Sequence, residues 1–245
     1  MSNQNKILVF TATYNEKDNI GKLIYSITQN YSNADILIID DNSPDKTYET
    51  ILEMQKQFKN IFLIKRHSKL GLDTAHKKAY DYAVENSYDY LITMDADFSH
   101  DPKEILRNLK FFKDKKLDLL IASRYMKKSK IISWNINRKI LSRLSNILAK
   151  FLLRIKVTDY TNGFRFYSMR SAKKIIKDCG KIGDGFIVLS EILMVINSNN
   201  FKIDEIESVF LNRNRGESSV NLKLIIYSFF GLLKLFLIKI KRNVL

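Results

Sequence analysis

The residues best suited to chemistry sit in Met94-Asp95-Ala96-Asp97, where an apolar run ends in two carboxylates one residue apart. Side chains at i and i+2 of an extended strand point the same way, so Asp95 and Asp97 can reach one hard divalent cation. Mg²⁺ binds through a few carboxylates plus phosphate oxygens rather than in a full protein cage, which suits a site completed by a diphosphate. A helix cap or a polar loop would also account for an Asp-x-Asp pair. Two further clusters follow apolar runs: Tyr14-Asn15-Glu16, and Asp40-Asp41-Asn42-Ser43. The second also reads as a turn and N-cap ahead of Thr47. Capping alone does not explain three such clusters at one edge of a sheet.

The elements that must position them are legible in the pattern. Apolar, β-branched runs at 7–12, 36–40, 61–65, 90–95 and 117–123 predict strands buried on both faces. Helical periodicity fills 19–29, 47–58, 73–85 and 102–113 between them. Asp45 ahead of Thr47 and Glu49, and Asp101 ahead of Pro102, supply start signals. Strands alternating with helices predict an α/β fold with a mostly parallel sheet. Ligands of such sheets lie beyond the carboxyl ends of the strands, where the acidic clusters fall.

The chain has 245 residues, 45% of them hydrophobic, which is enough for one large core and argues against disorder. A single Cys and three scattered His exclude a disulfide scaffold and a Cys-held structural zinc. The start, MSNQNKILVF, lacks the pattern of a secretory signal, so a cytoplasmic location is expected. The net charge of +15 favours anionic partners.

That charge is concentrated. Residues 124–173 carry 13 Lys and Arg against the single acid Asp159. Within it, 131–157 interleaves Trp134, Ile140, Leu144, Ile147 and Phe151 with basic residues, as in a basic amphipathic helix at a lipid interface. A core helix with a solvated basic face is the plainer alternative. The apolar segment 222–240 ends the chain. Lys223, Lys234 and Lys241 fall within about 20° of one another at ~100° per residue, which predicts an interfacial rather than a spanning helix. We therefore expect a catalytic domain over 1–215 and a membrane-interface helix over 216–245.

Taken in order, Thr11-Ala12-Thr13-Tyr14-Asn15-Glu16, Asp40-Asp41-Asn42-Ser43-Pro44-Asp45, Met94-Asp95-Ala96-Asp97-Phe98-Ser99-His100-Asp101-Pro102 and Ser123-Arg124-Tyr125 resemble glycosyltransferase family 2. The likeness is greatest to its polyprenyl-phosphate (dolichol-phosphate) mannosyltransferase branch. Asn162-Gly163-Phe164-Arg165 and Arg215-Gly216-Glu217-Ser218 extend it over nearly the whole chain. The resemblance implies a GT-A fold and inverting transfer of a hexose, mannose from GDP-mannose foremost, to a polyprenyl monophosphate. It places Mg²⁺ or Mn²⁺ on Asp95 and Asp97 with Ser99 as a third ligand. Thr13, Tyr14, Glu16, Asp41, Asp95, Ala96 and Arg215 would bind the donor nucleotide, and Arg124, Arg138 and Ser142 the acceptor phosphate. Asp97 and Arg124 would carry the catalysis. It also implies a protein peripheral on the inner face of the membrane, and leaves room for an integral-membrane partner.

A lipid monophosphate is already anionic and needs no base to become a nucleophile, which fits a site rich in Asp and Arg with no evident catalytic His or Cys. The sequence departs from the family at Asp73, where a second glycine is common, and at Asp159-Tyr160-Thr161-Asn162-Gly163, which replaces Asp-Pro-Met-Ser-Gly. The Gly185-Phe186 to Glu191 stretch keeps part of a family segment. These positions bear on the sugar, so UDP-glucose or another nucleotide-sugar, with a polyprenyl-phosphate or glycan acceptor, is the alternative. A glycan hydroxyl would need a base, for which Glu191 is the candidate. No Gly-x-Gly-x-x-Gly turn follows the first strand, against a nicotinamide or methyl-donor enzyme. No nucleic-acid module is recognisable, so no nucleic-acid partner is expected. A catalytically dead membrane scaffold conflicts with the intact Asp95 and Asp97.

Overall fold

The computed structural model describes residues 5–180, 182, 187–212 and 222–244. Five parallel strands follow the apolar runs: β1 (Ile7–Thr13), β2 (Ala34–Asp40), β3 (Ile61–Lys65), β4 (Tyr90–Thr93) and β5 (Leu119–Ser123). Between them run α1 (Lys17–Asn30), α2 (Thr47–Gln57), α3 (Leu72–Glu85) and α4 (Glu104–Asp114). Then come β6 (Lys130–Ile132), α5 (Ile136–Leu153), β7 (Arg165–Ser168), α6 (Met169–Asp178), α7 (Ile187–Ser198), β8 (Ile203–Glu207), β9 (Val209–Leu211) and α8 (Leu222–Val244).

The main sheet has seven strands in the order β3-β2-β1-β4-β7-β5-β8, and β7 alone is antiparallel to its neighbours. Alternate residues of β1 face opposite layers. Ile7 and Val9 pack with residues of α1, α2 and α4, whereas Leu8 and Phe10 pack with α3, α6 and α7. Both faces are thus covered, as the continuous apolar strands require. β3 lies at the edge of the sheet, so only Ile61 is fully buried there, less than its sequence suggests.

Helix starts differ in detail from the sequence signals. Asp45 accepts from the Thr47 amide at 2.9 Å and its hydroxyl at 2.6 Å, while Lys46, at φ 64°, turns the chain into α2. Pro102 lies in the turn ahead of α4 rather than inside it. The expected helix over 131–157 is shorter. Residues 130–132 pair with β9 instead, Asn135 caps α5 by accepting from the Arg138 amide, and Arg154 ends it in the left-handed region.

α8 packs on α5 and α7, placing Leu232 and Leu235 in the core. A Cβ on Gly231 would stand 2.8 Å from Ile187 Cγ1, so glycine lets α8 approach α7 this closely. Lys239 Nζ donates to the Leu153 carbonyl, tying α8 to the end of α5. Among the described residues no helix is long and apolar enough to cross a membrane. Of the expected lysine stripe, Lys234 and Lys241 are exposed, and the Lys223 side chain lies outside the described residues.

Candidate active site

The loops after β1 and β2 are locked together. Thr13 pairs with Asp40 in the β1–β2 register, and its hydroxyl donates to Asp40 Oδ1 at 2.8 Å. Asp40 also accepts from the Ser43 amide and hydroxyl. The Asn15 and Glu16 amides donate to Ser43 Oγ and Thr47 Oγ1, each at 3.0 Å, and Asn19 donates to Glu16 at 2.7 Å. Asp41 is ion-paired with the half-buried Arg66 and accepts from the Gly71 amide at 3.2 Å. Of the predicted nucleotide residues, Thr13 and Ala96 are buried supports, and Tyr14 is exposed with the Lys69 ammonium 3.7 Å from its ring centre. Arg215, and the 215–218 stretch with it, lies outside the described residues.

Asp95 and Asp97 reach one cavity, though not along an extended strand. β4 ends at Thr93, and Phe98, at φ 60°, turns the chain after Asp97, whose Oδ1 accepts from the Ser99 amide at 3.0 Å. The Asp95 carboxylate is 40% exposed into the cavity, and its Oδ2 meets Nε2 of the wholly buried His100 at 3.1 Å. Burial alone pushes the Asp95 carboxyl up, but the His100 hydrogen bond and charge, with Arg124 and His76, hold it below its ordinary value. A Cβ at Gly163 would stand 2.8 Å from Asp95 Oδ1, so only glycine leaves room for this carboxylate. Among the described residues no group of three or more His, Cys, Asp or Glu gathers around a metal position. Two carboxylates and the Ser99 hydroxyl on one cavity are nonetheless hard oxygen donors, and they fit a Mg²⁺-like ion that takes its remaining ligands from phosphate and water.

Arg124 is buried beside them, and it is fixed. Its Nε and Nη2 each donate to Asp159 at 2.7 Å, and Nη2 also donates to Thr161 Oγ1 at 2.7 Å. Burial pulls the guanidinium down, and Asp159 more than offsets it, while Arg124 in turn holds the buried Asp159 carboxyl low. Glu205 of β8 backs this pair by accepting from the Thr158 amide at 2.6 Å and the Asp159 amide at 3.0 Å. Arg138 of α5 donates to Asn212 Oδ1 at 3.0 Å, and Ser142 one turn on accepts from the Tyr125 hydroxyl at 2.6 Å.

Asp95, Asp97, Ser99, Arg124, Arg138 and Ser142 all line a single cavity of about 740 Å³. Away from this polar end its wall is apolar, formed by α5 (Leu141, Leu144, Ile147, Phe151) and α8 (Phe229, Leu232). Glu191 is not on it: the carboxylate is buried and accepts from the Gly180 amide at 3.1 Å.

Sequence reasoning missed the supports. Asp159 had a signal, as the lone acid among 13 basic residues. His100 stands in the family motif and Trp134 in the amphipathic segment, but the sequence gives neither a role in the site. Arg165, wholly buried and donating to the carbonyls of Tyr160, Asn162 and Leu189, anchors the loop ahead of β7 to α7.

Comparisons with known proteins agree with this architecture. The chain is 30% identical over 218 residues to polyprenol monophosphomannose synthase of Mycolicibacterium smegmatis, covering 88% of this chain and 81% of the relative. It is 28% identical over 219 residues to undecaprenyl-phosphate mannosyltransferase of Micrococcus luteus, covering 88% of each. Among solved structures, glucosyl-3-phosphoglycerate synthase of Mycobacterium tuberculosis, in complex with Mn²⁺, UDP and glucosyl-3-phosphoglycerate, aligns with a TM-score of 0.67 at 16% identity, over 95% of this chain and 80% of that one. A mannosyltransferase of Pyrobaculum calidifontis in complex with GDP-Man and Mn²⁺ aligns at 0.61 and 13%, over 94% and 70%. These likenesses show the GT-A fold. The model of the family described as Glycosyl transferase family 2 matches residues 8–176, more than half of the chain. The shared sheet, the carboxylates at its rim and this match carry one conclusion: the chain belongs to glycosyl transferase family 2, the nucleotide-sugar-dependent glycosyltransferases.

Proposed function

We propose that this enzyme transfers mannose from GDP-mannose to a polyprenyl monophosphate, with inversion, at the cytoplasmic face of the membrane. The cavity carries this reading: one end is built of carboxylates and arginines, the other of aliphatic and aromatic side chains, which matches an acceptor with a charged head and an apolar chain. The names of the two relatives support both the sugar and the acceptor. The Pyrobaculum structure, with GDP-Man and Mn²⁺, supports the donor and a divalent cation.

In this reading Asp95 and Asp97, with Ser99, hold Mg²⁺ or Mn²⁺, which when bound neutralises charge developing on the departing diphosphate. Thr13, Tyr14, Glu16, Asp41, Ala96 and Arg215 frame or contact the nucleotide. Arg124, Arg138 and Ser142 orient the acceptor phosphate. One phosphate oxygen forms the new bond to the anomeric carbon as the bond to the diphosphate oxygen breaks, and that electron pair leaves with the nucleotide. No proton is removed from the nucleophile, so no base is required. The burial of Glu191 away from the cavity is consistent with this. Residues 1–215 then form the catalytic domain.

The membrane face is α5 with α8, in the 216–245 segment. Ile136 (74% exposed), Ile140, Leu144, Ile147 and Phe151 (72%) on α5, with Tyr227, Phe230 and Leu237 on α8, stand in solvent among basic residues. Such a face suits anionic headgroups and leaves the protein peripheral, with or without an integral-membrane partner.

The test is purified protein with polyprenyl phosphate and a panel of labelled nucleotide-sugars. Lipid-extractable product from GDP-mannose alone is expected, and product only from another donor would overturn the sugar assignment. Glucose from UDP-glucose is the second reading, favoured by the UDP-bound Mycobacterium neighbour. Transfer to polyprenol or a soluble glycan, and not to the phosphate, would overturn the acceptor.

A further inference from the structure

Trp134 is the only tryptophan in the chain and lies at the polar end of the cavity. It is 7% exposed, and its indole nitrogen is buried without a hydrogen-bond partner. A buried donor left unsatisfied carries its full desolvation cost, so such a group calls for an explanation. Its neighbours give it none. The Arg138 guanidinium sits 4.1 Å from the ring centre and that of Arg124 5.7 Å, and both, like the indole N–H, donate only. The Phe210 ring packs edge-on at 5.2 Å and holds the indole in place.

We propose that Trp134 is a third binding group for the acceptor phosphate, its N–H donating to a phosphate oxygen held between Arg124 and Arg138. This rests on the acceptor reading above and adds to it a residue that the resemblance did not supply. An ionised phosphate only accepts, so it suits an end of the cavity where Arg124, Arg138 and Trp134 only donate and the indole N–H has no partner of its own. The indole ring also attracts both guanidiniums without neutralising either. The indole N–H is buried, so its bond to a phosphate oxygen requires the side chains around it to shift as the acceptor enters.

The single tryptophan makes a direct test practical. Intrinsic emission of the full chain would be titrated with a short-chain polyprenyl phosphate, the corresponding alcohol, and inorganic phosphate. A saturable change with the phosphorylated lipid, absent with the alcohol, is expected. A similar change with inorganic phosphate would mark the headgroup alone as sufficient. Trp134→Phe keeps an aromatic face and removes the donor. It should raise the acceptor KM about tenfold, with kcat and donor KM within about twofold, as for loss of one charge-assisted hydrogen bond. Trp134→Leu removes the face too and should raise it further. An unchanged acceptor KM in Trp134→Phe, equal loss for donor and acceptor, or emission indifferent to a polyprenyl phosphate that the enzyme turns over would overturn the proposal while leaving the acceptor reading intact. Absence of turnover with any polyprenyl phosphate would instead remove the acceptor reading.

Discussion

The edge proposed to hold the nucleotide and the edge proposed to hold the acceptor are built on opposite terms. At the ends of β1 and β2 the polar groups bond within the protein: Thr13 to Asp40, Asn15 to Ser43, Glu16 to Thr47, Asp41 to Arg66. At α5 and α8, by contrast, large apolar side chains stand in solvent, and the donor of Trp134 just ahead of α5 is unsatisfied. The first edge is bonded within the chain, and in the proposed reading the second is completed by the acceptor and a lipid surface.

The comparison can be broken at the junction of the two edges. Asp97→Ala should cut turnover by about a thousandfold or more while the unfolding midpoint stays close to that of the parent, because the charge developing on the leaving group loses its stabilisation. Full activity of this variant in the presence of a chelator would remove the metal role of the carboxylates.

The acceptor edge does have one prebuilt part, the Arg124–Asp159 pair, and Asp159→Ala tests how much the fold depends on it. Removing the carboxylate leaves Arg124 buried and uncompensated, so denaturant unfolding should show a loss of roughly 3–5 kcal/mol. A loss no larger than that of a surface substitution would mean that the arginine finds another partner.

Between the edges, His76 is buried between Phe10 and Tyr80. Burial pulls its pKa down to about 4, with Asp95 opposing and Arg165 assisting. The unfolded chain takes up this proton near pH 6.5 and the folded chain only near 4, so stability is lost as pH falls through that window and levels off below it. The His76→Gln variant should flatten that segment of the stability curve by roughly 3 kcal/mol, and identical curves for the two proteins would contradict the buried neutral imidazole.

The smallest effect on the fold is expected on the open face. Ile147→Ser with Phe151→Ser should weaken binding to anionic liposomes about tenfold, from the apolar area withheld from lipid. Folding stability should change by only about 0.5 kcal/mol, since both side chains are already exposed. Deleting α8 would be less clean, because Leu232 and Leu235 belong to the core. Unchanged partition would restore the plain reading of α5 as a solvated helix.

The parallel half was legible because each strand is a short apolar run, and three of them, β1, β2 and β4, are closed by a polar cluster. Asp41, Asp95 and Asp97 could be placed at one rim from local pattern alone. β7 was not legible: four residues, Arg165–Ser168, become a central strand only by pairing with β4 and β5 from far along the chain. For the same reason the partnership of Asp159 with Arg124, 35 residues apart, was invisible although both had been singled out. The amphipathic reading of 131–157 found α5 but not β6, whose pairing with β9 is equally remote.

The reversal of β7 also shapes how this scaffold can vary. Because that strand runs against its neighbours, the chain just ahead of Arg165 emerges beside the reaction centre, whereas the chain just after Ser168 emerges at the opposite rim. Extra residues gained ahead of Arg165 would therefore alter the rim of the cavity, and the same gain after Ser168 would decorate a remote surface. In the proposed reading, acceptor choice in such a framework can change through one short loop while the strands on the nucleotide side keep their pairing.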